Sequence, residues 1–312
     1  METEMGLQQI LPLVQTSVEL GLITGLTVLA LFLSYSMLNV CDLSTDGCFT
    51  LGAAVGGIVA LAGQPWLSLP AAICAGVLSG LLTAVLQTRM GINSLLAGII
   101  VNTGLYSVNI AIMGGSSQLN MNRTATAFSL VKDALKDTAF ASQYRIIVAA
   151  AAVALVVIIL SLFLRTRLGL AIRATGDNPA MVRSSSINPV FTTTVGLCVS
   201  NAFTGLSGCL LGQYQKSVNI DIGSGMVTIA LASLLIGGVF FGKRKIPVRA
   251  IGAVIGAIIF RLIYAAALRL NMPTFMLKAV SSVIVILALS GPYLRRQGGD
   301  AFRRWQARKE AE

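Results

Sequence analysis

The chain has 312 residues, of which 55% are hydrophobic and only 11% are charged, and its mean hydropathy is +0.81. Soluble domains carry about 25% charged residues, so this composition excludes an ordinary soluble protein. No His is present, which excludes His-based general-base catalysis and His metal sites. The net charge of +11 lies mainly between apolar runs. We therefore attribute it to membrane lipid and loop orientation, with no nucleic acid partner.

Apolar runs long enough to cross about 30 Å of hydrocarbon recur along the whole chain. They predict an all-α, polytopic integral membrane protein with about nine transmembrane helices, in the range of eight to ten. The second and seventh runs are short, which is typical of broken or re-entrant helices. We place the nine spans near residues 18–38, 48–63, 68–87, 92–114, 144–164, 190–212, 226–241, 249–270 and 274–292.

Basic residues cluster in four regions, and the nine predicted spans place all four on the same side of the membrane. These are Arg89, the segment 165–189, the loop 242–249 and the tail after residue 294. Because Lys and Arg concentrate in cytoplasmic loops, this side is predicted to be the cytoplasm. The N-terminus is then outside and the C-terminus cytoplasmic. We divide the chain into a transmembrane domain, residues 1–293, and a basic cytoplasmic tail, residues 294–312.

Two stretches follow a common pattern in which an acid and glycines lead into a short helix of small residues. The first is DLSTDG from Asp42 to Gly47, and the second is NIDIGSG from Asn219 to Gly225. Paired, Gly-interrupted segments of opposite direction indicate inverted repeats around a central pathway. At Gly225 we expect a close helix contact. The candidate pathway residues are Asp42, Ser44, Asp46, Asn219, Asp221 and Gly225.

The acids of the first stretch have two interpretations. Acids at membrane depth usually face a cavity or a partner, which favours pathway lining by Asp42 and Asp46. The alternative is that they cap helix ends, with Thr45 or Asp46 as the N-cap of the second span. Arg261, inside the eighth span, has the same ambiguity, since it can extend outward or face the bundle interior.

The segment 165–189 interrupts the apolar sequence with four Arg residues and one acid. It contains a turn signal at Thr175–Pro179, followed by a predicted short helix from Ala180 to Ile187. Asn178 is its expected N-cap, and Pro179 fits the first helical position. Such a loop is either a docking element for a cytoplasmic partner or a topology signal only. The candidate docking residues are Arg173, Gly176, Asp177, Asn178, Pro179, Met181, Arg183, Ser184, Ser185 and Asn188.

One stretch imitates a nucleotide-binding loop. The segment from Gly237 to Lys243 has P-loop spacing, but Arg244 stands where Ser or Thr would bind Mg²⁺. A membrane helix also precedes it, where a P-loop requires a strand. We therefore predict a chain with no catalytic residues and no cofactor of its own.

Three strings resemble permease subunits of bacterial ATP-binding cassette (ABC) importers, in the branch that carries branched-chain amino acids, ribose and nucleosides. They are CDLSTDGCFTLGAAVGG (Cys41–Gly57), GLAIRATGDNPAMVRSSSIN (Gly169–Asn188) and IALASLLIGG (Ile229–Gly238). Where relatives place a Gly-Gly-x-Gly turn, this chain has FGKRK from Phe241 to Lys245. That departure is similar to the tryptophan/tyrosine-type uptake permeases.

The resemblance implies a translocation pathway for a small, amino acid-like solute, possibly aromatic, in the bacterial plasma membrane. It also implies a second copy of the permease, an extracytoplasmic binding lipoprotein and a separate ATPase subunit. The ATPase would carry ATP and Mg²⁺ and would dock on a coupling helix between Arg173 and Asn188. An ion-coupled secondary transporter is the alternative, with Asp42, Asp46 and Asp221 as the available intramembrane acids.

The predicted orientation is testable by accessibility of single cysteines. In a cysteine-free background, we expect a Cys at Gln8 to react with an impermeant maleimide in intact cells and a Cys at Gln297 to be protected. The reason is that the basic loops hold the C-terminal side in the cytoplasm. Lysed cells serve as the control in which both positions react. Labelling of Gln297 alone in intact cells would overturn the topology.

Overall fold

The computed structural model describes residues 2–134, 136, 143–242 and 244–269, with a few separate positions between 279 and 290. Helices dominate, and helix α1 continues directly into a π-helical turn, Phe32–Met37. The α-helices are α1 Glu2–Leu31, α2 Thr45–Leu61, α3 Pro65–Thr88, α4 Ser94–Ile112, α5 Ala127–Ala134, α6 Tyr144–Phe163, α7 Arg167–Asp177, α8 Pro179–Ser184, α9 Pro189–Gln215, α10 Met226–Phe241 and α11 Ile246–Arg269.

Six described helices are long and apolar enough to cross a membrane. Two further apolar helices, α2 and α10, are shorter. Together they match the first eight predicted spans, so the polytopic all-α class is confirmed. The ninth predicted span, 274–292, and the tail after residue 294 lie outside the described residues. The six long spans are Pro12–Met37, Pro65–Thr88, Ser94–Ile112, Tyr144–Phe163, Pro189–Gln215 and Ile246–Ala267.

Helices α1 and α9 form the centre of the bundle. Their apolar windows are 78% and 83% buried, whereas that of α6 is only 22% buried and faces outward. Two hydroxyls of α9 donate to α1 carbonyls: Ser200 Oγ to Ala30 O at 2.8 Å and Ser207 Oγ to Ile23 O at 2.7 Å. This register makes α1 and α9 antiparallel. Hydrogen bonds between helices suit a bilayer, where no water competes for them.

Small residues let α2, α3 and α9 pack with their backbones in contact. A Cβ added at Gly52 would overlap the carbonyl oxygen of Gly205, and one at Gly208 would overlap that of Phe49. A Cβ at Gly76 of α3 would overlap the carbonyl oxygen of Asn201. Close approach at small residues is the usual way that membrane helices associate. We call this three-helix contact the small-residue seam.

Helices α10 and α11 form an antiparallel pair of the same kind. A Cβ at Gly237 would overlap the carbonyl oxygen of Gly252, and one at Gly256 would overlap that of Ser233. Helix α11 also packs antiparallel to α1, whereas α2 runs parallel to α9. Helices α2 and α10 therefore run in opposite directions, as the predicted inverted repeat requires.

Basic residues from separate loops meet at one end of the bundle, which we call the basic end. Arg249, at the start of α11, donates from Nη2 to Ser36 Oγ at 2.8 Å and lies 5.4 Å from the centre of the Phe32 ring. Arg89, after α3, lines a shallow cavity together with Asn188, in the loop before α9. The segment 165–189 also lies here. Three of the four basic regions that were predicted to share one side of the membrane are thus neighbours in space, and the fourth, the tail after residue 294, lies outside the described residues.

The opposite end is closed by two short strands that the sequence did not predict, β1 Gln118–Asn120 and β2 Ser217–Asn219. They pair antiparallel, with Leu119 opposite Val218. Gln213 Oε1 accepts a hydrogen bond from Ala127 N at 2.8 Å, which joins α9 to α5. Three-residue strands carry little hydrophobic periodicity, which explains why the sequence pattern did not indicate them.

The small-residue seam predicts a position-specific loss of stability. Gly52→Ala should lower the free energy of unfolding by about 1–3 kcal/mol, because the new methyl group must push α2 away from the Gly205 carbonyl. Thermal unfolding of the purified protein in detergent measures this change as a lower midpoint temperature.

The matched control is Gly104→Ala on the exposed side of α4, where an added Cβ meets nothing within 4 Å. There the substitution should be neutral or slightly stabilising, because Ala favours a helix over Gly. Equal midpoints for the two variants would show that the seam is not tightly packed.

Candidate functional site

The two short helices meet at their N-termini through one carboxylate. Asp46, in the first turn of α2, accepts the backbone N–H of Gly225 at 2.9 Å and that of Val227 at 2.8 Å. These groups begin α10 and have no partner within their own helix. Asp46 therefore caps the facing helix, and the segments 42–46 and 219–225 meet inside the bundle.

This contact corrects the capping prediction. Neither Thr45 nor Asp46 caps α2: the N-cap position is Ser44, whose side chain makes no capping hydrogen bond. Asp46 is already inside the first helical turn, so its carboxylate extends toward the free N–H groups of α10. Local sequence spacing favoured the wrong helix because the true partner lies 179 positions further along the chain.

The backbone conformation at position 225 requires a glycine. Its φ is +82°, which a side chain disfavours, and an added Cβ would meet nothing within 4 Å. The close helix contact that we expected at this position is therefore wrong. The left-handed turn at Gly225 directs the chain into α10 with its first N–H groups toward Asp46.

Asp42 and Ser44 lie in the protein interior. Asp42 is fully buried, and its Oδ2 accepts from Asn201 Nδ2 of α9 at 2.7 Å. Its Oδ1 accepts the N–H of Ser44 at 2.8 Å and the Ser44 hydroxyl at 2.6 Å. Thr83 of α3 donates to the Ser44 hydroxyl at 3.1 Å. The pair fixes the non-helical segment before α2 onto two neighbouring helices and does not line the cavity described next.

A cavity of about 320 Å³ opens beside the junction of α2 and α10. Of the predicted pathway residues, Asp46 and Asp221 line it. Asn219 is exposed in β2, and its Oδ1 accepts the N–H of Asp221 at 3.1 Å, which orients the loop. The cavity wall consists of Asp46, Gly47, Thr50, Asn102, Thr103, Tyr106, Asn109, Ile220, Asp221 and Ser224.

One wall of the cavity is a polar stripe of α4 that the sequence reading missed. Asn102, Thr103, Tyr106 and Asn109 follow a spacing that places them on one face of a helix. Polar side chains on a membrane helix usually face a cavity or the bundle interior, because exposure to lipid is unfavourable. A helical-face analysis of the fourth span would have found this stripe.

The segment 165–189 folds as two helices with a sharp break between them. Asn178 Oδ1 accepts from Ala180 N and Met181 N, both at 3.1 Å, so its predicted role as an N-cap is confirmed. Pro179 occupies the first position of α8, as predicted. Two details differ: the expected turn from Thr175 is helical as far as Asp177, and α8 ends at Ser184 and not at Ile187. Asn188 caps α9 by accepting from Val190 N at 2.9 Å.

Helix α8 presents most of its side chains outward. Met181 is 66% exposed, and Arg183, Ser184 and Ser185 are also exposed, whereas Val182 is buried and anchors the helix. An exposed Met beside an exposed Arg offers an apolar and a charged contact to a partner. The helix is therefore accessible for docking.

Helix α7 connects α8 to the bundle. A Cβ added at Gly176 would overlap the carbonyl oxygen of Met37, at the end of the π-helical turn of α1. The buried hydroxyls of Thr175 and Thr192 lie 2.8 Å apart and join α7 to α9. Arg173, half-buried on α7, lies near Arg249. Movement of α7 would therefore act directly on the end of α1 and on the segment that leads to Asp42.

Comparison with known proteins identifies the family. The sequence model of one protein family, the permease component of the branched-chain amino acid transport system, matches residues 14–289. The chain belongs to this permease family. It is 31% identical over 271 residues to a tyrosine transport system permease protein of Clostridioides difficile, covering 86% of this chain and 88% of that protein.

Two other relatives are named for different substrates. The guanosine ABC transporter permease protein NupQ of Bacillus subtilis is 27% identical, covering 69% of this chain and 70% of that protein. A probable branched-chain amino acid permease, LivH, of Methanocaldococcus jannaschii is also 27% identical, with 70% and 61% covered. No solved structure matches the chain.

Membership gives the permease its general role. It is a membrane-spanning transport subunit of an ABC transporter, and ATP hydrolysis belongs to a separate subunit. Permeases of this family work with an ATPase and a solute-binding protein. The alternative of an ion-coupled secondary transporter, which rested on the acids Asp42, Asp46 and Asp221, is therefore not favoured.

The turn at Gly225 predicts a functional effect of one methyl group. Gly225→Ala should disfavour the left-handed turn by about 1–2 kcal/mol and move the first N–H groups of α10 away from Asp46. We expect uptake of solute by cells to fall more than the amount of permease in the membrane.

Gly238→Ala is the matched control, because it lies within α10, has ordinary helical backbone angles and has open space around its Cβ. Uptake by this variant should equal that of the parent. Normal uptake by Gly225→Ala would mean that the α2–α10 junction is not required for transport.

Proposed function

We propose that this permease forms the pathway of a bacterial plasma-membrane importer for an amino acid-like solute with an aromatic ring. The observation that carries the proposal is the junction at Asp46, where two oppositely directed short helices meet beside a polar cavity. Its volume, about 320 Å³, falls within the range of small-molecule sites, about 300–1,000 Å³. The tyrosine permease relative supports the solute class.

The proposed orientation puts the basic end in the cytoplasm. Arg89, Arg249 and the segment 165–189 share that end, and Lys and Arg favour the cytoplasmic side. The N-terminus then lies outside, the C-terminal tail lies in the cytoplasm, and β1 and β2 face the extracytoplasmic side. On that side the solute would arrive on its binding protein.

The segment 165–189 is proposed to dock on the ATPase. Its capped start at Asn178, its exposed Met181 and Arg183, and its packing through Gly176 onto α1 support this role. Arg173, Asp177, Pro179, Ser184, Ser185 and Asn188 would complete the coupling region. ATP and Mg²⁺ would be held by the ATPase alone.

A second copy of the permease is proposed to complete the pathway. Thr103 and Tyr106 of the polar stripe of α4 and Asp221 are exposed in a single chain, and all three line the same cavity. Polar groups at this position are unfavourable toward lipid and favourable toward a water-filled space between two copies. A two-fold arrangement would place the same stripe on both sides of that space.

The coupling proposal predicts a loss of ATPase binding without loss of folding. Arg183→Glu or Met181→Asp should leave membrane insertion unchanged, since both side chains are exposed. Either should lower affinity for the cognate ATPase by on the order of a hundredfold, because a charge reversal or a buried new charge costs a few kcal/mol. Co-purification of tagged permease with its ATPase, and ATP-driven uptake in vesicles, measure both effects.

Arg123→Glu is the matched control, because this exposed Arg lies in the loop at the opposite end of the bundle. It should bind the ATPase as the parent does. If Arg183→Glu and Met181→Asp also bind and transport at the parent's rate, the segment 165–189 is a topology signal only.

A further inference from the structure

We infer that the cavity beside Asp46 binds the protonated amine of the transported solute, with the Asp221 carboxylate as its counter-ion. This inference rests on the proposed function, because it names the chemical group that the pathway recognises. It goes beyond the family assignment, because relatives of this chain are named for both an amino acid and a nucleoside.

The charge of the cavity favours a cationic group. Two carboxylates line it, and none of its described lining residues is Lys or Arg. Asp46 already accepts two N–H groups of α10, one on each oxygen. Asp221 is exposed, and its loop is fixed by a hydrogen bond from its own N–H to Asn219 and by one from Ser224 N to its carbonyl. The backbone that carries the Asp221 carboxylate beside the cavity is therefore held in place.

A second, independent observation is an unpaired acceptor in the cavity wall. Asn109 is only 1% exposed, and its Nδ2 donates to Gly47 O at 3.2 Å. Its Oδ1 has no hydrogen-bond partner among the described residues. Buried polar atoms are nearly always paired, so this carbonyl oxygen calls for a donor that the described residues do not supply. An ammonium group offers three N–H donors and no acceptor.

The body of the solute has a matching surface. Tyr106 is 51% exposed and lies one turn from Asn102 and Asn109 on the same face of α4. Its ring can pack against an aromatic side chain, and its electron-rich face also attracts an ammonium group. The cavity thus fits an amine carried on an aromatic body.

Two other ligand classes fit less well. A nucleoside has no ammonium group, so it would leave the Asp221 charge unpaired. An inorganic cation needs several close oxygen or nitrogen ligands. The described residues contain no cluster of three His, Cys, Asp or Glu side chains that could hold one.

The first test measures the charge preference of the cavity without knowledge of the solute. Ser224→Cys places a thiol in the wall, in a background with Cys41, Cys74 and Cys198 replaced by Ala and the buried Cys48 and Cys209 retained. The permease, in lipid nanodiscs, is treated with 2-aminoethyl or 2-sulfonatoethyl methanethiosulfonate. The rate of thiol labelling by the cationic 2-aminoethyl reagent is divided by the rate for the anionic 2-sulfonatoethyl reagent. This ratio is then normalised to the same ratio measured at Gln64→Cys, an exposed position between α2 and α3.

We expect the normalised ratio at position 224 to favour the cationic reagent by about tenfold, the effect of one nearby unpaired charge. Asp221→Asn should bring the ratio close to that of the reference position, and Asp221→Glu should restore it. Asp133→Asn, an exposed acid that pairs with Lys136, is the control and should change nothing. A ratio that is the same at both positions, or unchanged by Asp221→Asn, overturns the inference.

The second test identifies the ligand class by protection of the same thiol. Tyramine and L-tyrosine, which carry an amine, should slow labelling, whereas 3-(4-hydroxyphenyl)propionate and guanosine, which carry no ammonium group, should not. Protection by Na⁺ or K⁺ alone, by guanosine, or by none of the amines overturns the inference. The assay uses the permease without its ATPase, so its outcome is independent of the docking experiment that tests the proposed function.

Discussion

The structure depends on the capping of one helix by a carboxylate from another. Inside a bilayer, the first N–H groups of a helix that begins at membrane depth have no water to bind. Asp46 supplies two acceptors for α10, and the left-handed turn at Gly225 directs the N–H groups toward it. The loop 220–225 is thereby held inside the bundle, and the cavity between that loop, α2 and α4 exists because the loop is held there.

The basic end and the cavity are connected by a short stretch of chain. Gly176 of α7 packs against Met37 at the basic end, and only a few residues later Asp42 binds Asn201 in the interior. Asp46 follows within one turn of helix. A displacement of α7 at the basic end would therefore act on Met37 by contact and, along the chain from there, on the cavity, through a segment that is not helical and can change its backbone angles.

The sequence predicted what depends on local chemistry. The bilayer requires long apolar runs, so eight predicted spans fall on described apolar helices, although α1 begins well before residue 18. The cap at Asn178 followed from its neighbours. Long-range pairing was not predictable. The hydrogen-bond partners of Asp46 lie far along the chain, and a glycine is needed at position 225 because of its positive φ angle. The polar face of α4 was overlooked because hydropathy averages a whole span and hides its faces.

The small-residue seam limits how this protein can change shape. Where backbones touch, sliding one helix by a single residue, about 1.5 Å, would drive neighbouring side chains into a carbonyl. Helices α2, α3 and α9 must then turn as one rigid body. The strain of each transport cycle would then fall on the non-helical segments 38–44 and 220–225, which would serve as two hinges. Substitutions that stiffen those hinges would slow the cycle without altering which solute enters it.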